Sequence, residues 1–209
     1  MTRLSALIAG IAAVWMAVDS PVAHLDHHLL TAHMVQHLLL MVFAAPLSLI
    51  GIRPSLRLRW RPSLVLCWLA GGLTTTFWHV PLMFELAMKF SYWHIVEQAS
   101  FFIAGLLFWY PVMSSGPAAR TWMLPLYLFL ATLPCDVLSA FLSFCGRVVY
   151  RQYLSDHGGM FGLSPLEDQS LAGAVMWLTV TFAYLIPALA LSAQALSGER
   201  VRTAEAGAS

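Results

Sequence analysis

Six stretches of the chain are apolar over the length, or nearly the length, that a helix needs to cross a bilayer. They run over 4–18, 29–51, 63–84, 94–113, 122–145 and 169–191. A hydrocarbon core takes about 20 helical residues. Within it the backbone must satisfy its own N–H and C=O groups, which apolar segments of this length do as helices. The expected fold is all-α: a polytopic transmembrane bundle of six helices, forming one domain over 1–196. A small, polar tail, 197–209, is expected to be disordered. Composition agrees, since only 10% of the residues are charged and 59% are hydrophobic, against about 25% charged in soluble domains. The net charge of +1 gives no electrostatic case for nucleic acid. The lipid bilayer is the expected partner of most of the surface.

The first stretch, with Arg3 before it and Ser20-Pro21-Val22-Ala23 behind it, resembles a signal peptide. Trp15 and Met16 are bulky close to any cut, so a retained first helix is expected. With six crossings, Arg3, the quartet Arg53, Arg57, Arg59 and Arg61, then Arg120, Arg200 and Arg202 share one side, eight of the 11 basic residues. Lys89, Arg147 and Arg151 share the other. Basic residues in short loops stay cytoplasmic, so both termini are expected inside.

That orientation gathers the polar groups at one end. Residues 29–41 read Leu-Leu-Thr-Ala-His-Met-Val-Gln-His-Leu-Leu-Leu-Met, and His33 and His37, four apart, share a helix face that Met41 continues. His79 lies near the outer end of the third stretch. His94 opens the fourth, with Glu97 and Gln98 one turn deeper on the same face. Asp168 and Gln169 open the sixth, Cys145 closes the fifth, and His24, His27, His28 and His157 fall in outer loops. None of the eight histidines is assigned to the cytoplasmic half.

Each feature has an ordinary reading as well. Trp78-His79 suits a headgroup anchor, and membrane histidines also join helices by hydrogen bonds. His94 with Glu97 and Gln98 reads either as a neutralised packing contact or as a ligand with its orienting partner. Met34, Met41, Met160 and Met176 read as filler before they read as thioether ligands. His24, His27 and His28 suit a solvated loop or the first capture of a metal. Asp136 and Cys135 lie near the middle of the fifth stretch, where a carboxylate is expensive and needs a partner, and Pro134 beside them predicts a locally irregular helix. Cys135 is a soft ligand when deprotonated and otherwise a small buried hydrophobe. Cys145 lies about 15 Å further along an unbroken helix, so the two cysteines cannot share an ion. Three cysteines, an odd number, make no disulfide framework.

Imidazole combined with sulfur favours copper, chiefly Cu(I), with zinc as competitor. There is no His-Glu-x-x-His, no nucleophile–base arrangement and no phosphate-binding glycine loop. The residues therefore point to a protein that handles a transition metal at or just below the outer surface and catalyses no reaction.

The order of motifs resembles a known family. His33-Met34-x-Gln36-His37-Leu-Leu-Leu with Ala45-Pro46-Leu47, Trp78-His79-x-Pro81, His94-x-x-Glu97, Phe108-Trp109-x-Pro111 and Asp168-Gln169-x-x-Ala172-Gly173-x-x-Met176-Trp177 are similar to the CtaG-type family of cytochrome c oxidase assembly proteins. This is the polytopic family of Bacillus-like and other bacteria, distinct from the single-span copper chaperone of the same name. The resemblance implies a multi-pass membrane protein that serves copper to the oxidase's copper B centre, with an oxidase subunit or another copper-delivery protein as partner. It also implies His33, His37, His79 and His94 as metal ligands, with Met34 and Met41 secondary, and Glu97, Gln98, Asp136, Asp168 and Gln169 as supporting polar groups. Gln98 stands where the pattern often carries a second histidine, so a ligand is expected to be missing or supplied by Cys135. Relatives also have seven helices where six are read here. Three rival readings remain: a copper or proton transporter working through Asp136, a scaffold whose histidines only join helices, and a haem protein with paired axial histidines.

Overall fold

The computed structural model describes residues 2–21, 23–52, 63–114, 122–155 and 162–207. The arginine quartet, Arg120, His157 and Met160 lie outside the described residues. Among the described residues every regular element is helical. Five helical stretches among the described residues are long and apolar enough to cross a membrane: Arg3–Leu25, Leu30–Ile52, Ser91–Ser114, Met123–Phe144 and Pro165–Ser197.

The sixth expected crossing, over 63–84, is broken in two. Helix α4, Leu64–His79, has 16 residues and ends where Val80 turns extended at φ −63 and ψ 126. Helix α5, Pro81–Lys89, then starts with proline at its first position. A residue before proline is disfavoured in helical conformation, while proline itself is accommodated at a helix start. Sixteen residues span about 24 Å, less than a hydrocarbon core of about 30 Å.

Three further differences separate structure from expectation. Pro134 does not interrupt α7, which is continuous over Met123–Phe144. The second stretch is one helix in three parts: α2, Leu30–Leu38, a π-helical segment, Leu39–Ala44, and α3, Ala45–Ile52. Past Ser197, where a disordered tail was expected, the backbone of α8, Pro165–Gly207, remains helical.

Small residues set the close packing. The buried face of α1, Arg3–Val18, is Ala6, Gly10, Ala13 and Ala17, a spacing that lets helix backbones meet in lipid. A Cβ on Gly10 would come within 2.9 Å of Ser48 Oγ and 3.1 Å of Ser48 N on α3. The π segment is clasped from α6, Ser91–Ser114, by residues one turn apart. A Cβ on Gly105 would lie 2.9 Å from Met41 Cα and from Met41 O, and Trp109 Nε1 donates to Met41 O at 3.0 Å. The wider π turn exposes a backbone acceptor, and the indole takes it up. Such turns are frequent beside functional sites, and this one lies directly below His37.

The start of α2, the end of α4, the starts of α6 and α8 and the end of α7 all meet at one end of the bundle. His33, His37, His79, His94, Glu97, Gln98, Asp168 and Gln169 come to that end.

Candidate metal centre

Helix α2 has no capping side chain of its own, because its N-cap residue is Leu29. Asp168 supplies the cap from α8. Its Oδ2 accepts from Leu30 N at 2.6 Å and its Oδ1 from Thr31 N at 3.2 Å, while Thr31 Oγ1 donates to Asp168 O at 3.1 Å. A carboxylate on the first helical N–H groups satisfies orphan donors and complements the helix dipole. This fixes the turn that carries His33. Gln169 ties down the loop after α7: Val149 N donates to its Oε1 at 2.7 Å, and its Nε2 donates to Arg147 O at 3.1 Å and Leu142 O at 3.3 Å. Both residues position the site and neither enters it.

That loop covers the cluster with two tyrosines. Tyr150 OH donates to His79 O at 3.0 Å and Tyr153 OH donates to Asp26 O at 2.7 Å. Burial pushes both phenols well above their ordinary range, with nearby carboxylates adding to it. They therefore remain protonated donors. The Phe84 ring from α5 stacks on Tyr150 at 3.9 Å and tilts against His33 at 4.7 Å between centroids.

Beneath this cover, His33 Nε2 and His37 Nε2 are 2.7 Å apart. Glu97 Oε1 lies 3.5 Å from the first and 3.4 Å from the second. His33 and Glu97 have 0% exposure. Neither carboxylate oxygen of Glu97 has a hydrogen-bond partner, and the Nδ1 atoms of both histidines are also buried without one. His94 completes the group, since the ligand atoms of His33, His94 and Glu97 lie within 4.8 Å of one another. Asp26, His27 and His94 form a second such group toward the loop, with His94 Nε2 3.3 Å from Asp26 Oδ2. Gln36 holds Asp26 there, its Nε2 lying 3.2 Å from Asp26 Oδ2 and 2.9 Å from Ala23 O.

A buried carboxylate that accepts no hydrogen bond is costly. Three imidazoles converge on it, and one short N···N contact can hold only one proton. A cation is the chemical complement of that arrangement. Imidazole and carboxylate together suit copper, zinc, iron or nickel, so the donor set fits a first-row transition metal.

The other expected site residues fall elsewhere. His79 sits one ring further on, 6.1 Å from His37 between centroids, and its Nε2 faces Met34 Sδ at 3.2 Å. Met41 receives Thr75 Oγ1 at 3.9 Å. Cys135 lines a cavity deeper in the bundle, with Met34, His37, Met41 and His79. Gln98 Nε2 lies 3.2 Å from His94 Nε2, so Gln98 orients His94 and is absent from the groups of convergent ligands. Asp136 stands apart from the cluster, with Oδ1 buried and without a hydrogen-bond partner. The three cysteines are free. Asp26 escaped the sequence reading. Its one signal was its place between His24 and His27.

Fold and site define a class, a helical membrane protein with a buried histidine–carboxylate cluster at one end of its bundle. A family model described as cytochrome c oxidase caa3 assembly factor matches residues 1–197, and the chain belongs to that family. No curated protein and no solved structure matches it.

Proposed function

We propose that this assembly factor binds copper at His33, His37, His94 and Glu97 and delivers it, without catalysis, to the copper B centre of cytochrome c oxidase. The observation that carries the reading is Glu97, a fully buried carboxylate with no hydrogen bond, facing two imidazole nitrogens that are 2.7 Å apart. A resting structural ion pair would have its remaining oxygen satisfied. A site made to take up and give away a cation keeps those valences open. Family membership supplies the recipient, an oxidase. Eight of the 11 basic residues fall on the opposite side from the histidines in the sequence, which supports an outward-facing site in the bacterial cytoplasmic membrane.

The test is the copper content of oxidase purified from a strain carrying His33→Ala/His37→Ala in place of the natural chain. Oxidase with haem but depleted of copper B is the expected result, and oxidase with full copper overturns the proposal. Flux of copper or protons in proteoliposomes, abolished by Asp136→Asn, would replace delivery by transport.

A further inference from the structure

Below the histidine–carboxylate cluster lies a cavity of about 50 Å3 whose lining includes His37, His79, Met34, Met41, Cys135 and Met176. Four of these six residues carry sulfur and two carry imidazole. They come from α2, the π segment, α4, α7 and α8, so no single helix repeat accounts for their meeting.

The contact between His79 and Met34 has no ordinary explanation. His79 Nδ1 lies 2.7 Å from Thr75 O. A carbonyl oxygen only accepts, so the ring proton is on Nδ1, and in the neutral ring Nε2 is then a bare lone pair. That lone pair faces Met34 Sδ at 3.2 Å, and a thioether has no proton to give. Two electron-pair donors are held against each other in a buried site, where His79 and Met34 are 7% and 1% exposed. An electrophile between them removes the conflict. The second sign of a missing partner is His37, whose buried Nδ1 has none while its ring lines the same cavity.

We infer that His79 Nε2 and Met34 Sδ are the anchoring ligands of a second site, one that takes a soft monovalent cation, Cu(I). The inference rests on copper being the cargo of the cluster above it. An ion bound to both at about 2.0 Å from nitrogen and 2.3 Å from sulfur, the lengths of zinc's bonds to imidazole and to cysteine sulfur, makes a bent pair across a 3.2 Å gap. A bent pair leaves room for a third, exchangeable donor from the cavity wall. Thioether and imidazole without carboxylate select Cu(I) over harder divalent ions. The upper cluster, with Glu97, has no such preference. The chain would therefore receive a metal at a permissive site and retain it, in the cuprous state, at a selective one. His37 belongs to both, joining the cluster through Nε2 and lining the cavity with the rest of its ring.

The experiment uses the purified full chain in detergent, loaded anaerobically with Cu(I) supplied as its acetonitrile complex. Copper stoichiometry and copper X-ray absorption are read together. The wild type is expected to bind two ions, with sulfur in the averaged first shell. Met34→Leu conserves volume and is expected to fold. It should bind one ion with only nitrogen and oxygen neighbours. His33→Ala/Glu97→Gln should also bind one ion, with the sulfur retained. Sulfur persisting undiminished in Met34→Leu, or absent from the wild type, overturns the second site and leaves the cluster standing. Two ions still bound by His33→Ala/Glu97→Gln would instead overturn the cluster.

Discussion

Glu97→Gln should move stability and metal affinity in opposite directions. The ligand atoms of His33, His94 and Glu97 lie within 4.8 Å of one another, so an ion among them sits within about 4 Å of the carboxylate. At an effective permittivity of about 20, unit charges about 4 Å apart attract by about 4 kcal/mol. The amide keeps an oxygen dipole, so the expected loss is about 3 kcal/mol, roughly two decades in Kd. Without metal the sign reverses. Neither oxygen of Glu97 accepts a hydrogen bond, and an unsatisfied buried polar group costs about 1–3 kcal/mol, more when charged. The neutral amide of Gln removes the buried charge. The metal-free variant should therefore melt a few degrees higher, at about 2–4 °C per kcal/mol for a chain of this size. Far-ultraviolet circular dichroism with and without Cu(I) reads the first quantity, and competition against a calibrated chelator reads the second. A variant that melts lower, by the roughly 3–5 kcal/mol of a broken buried ion pair, with copper affinity intact, would refute the argument. Glu97 would then be the counter-ion of a protonated histidine pair.

Four further outcomes are expected. His33→Ala/His37→Ala should lose the copper ion of the cluster, read by metal analysis after desalting; unchanged stoichiometry would sink the assignment. Copper affinity of the cluster should fall as the solution is made acid, because protons compete for ligand nitrogens. Chelator titrations at several pH values measure this, and a flat profile would contradict histidine ligation. Asp168→Ala removes the cap that α2 borrows from α8 and should lower stability by about 1–2 kcal/mol, seen as a lower melting midpoint. Gly105→Ala would bring a Cβ to 2.9 Å from Met41 Cα and O, both backbone atoms, and should cost about 1–3 kcal/mol in the same assay.

What the sequence disclosed follows from which interactions are local. Helices were legible because apolar length decides them, and His33 with His37 because four residues make one helical turn. Glu97 was read only as support for His94, three residues before it. Its closest ligand contacts are with His33 and His37, more than fifty positions away in the chain. Asp168 was read as a supporting polar group, but the support it gives is the cap on α2 across 138 residues, a partnership no spacing reveals. Cys135 was offered in place of the histidine that Gln98 displaced. The geometry separates the two: Gln98 bonds to His94 within one helical turn, while Cys135 faces the deeper cavity with the methionines. Asp26 was passed over because a carboxylate in a loop ordinarily faces water. Here it is 2% exposed, held by Gln36 and Tyr153.

The break in the stretch 63–84 and the formation of the site have one cause. Had the stretch 63–84 continued as a single helix, Phe84 would stand on α4 beyond His79. Pro81 breaks it, Val80 turns extended, and α5 runs away from the α4 axis. That turn lays Phe84 between His33 and Tyr150 and leaves His79 in the last turn of α4. The broken end also frees the His79 carbonyl, to which Tyr150 donates. Each named residue of Trp78-His79-x-Pro81 thus has a physical function. Trp78 Nε1 donates to Ser100 Oγ at 2.8 Å and fixes α4 to α6. His79 presents Nε2 to Met34, and Pro81 ends the helix where the cover must begin. The short α4 is the cost of a histidine–carboxylate cluster roofed by the protein's own aromatic side chains.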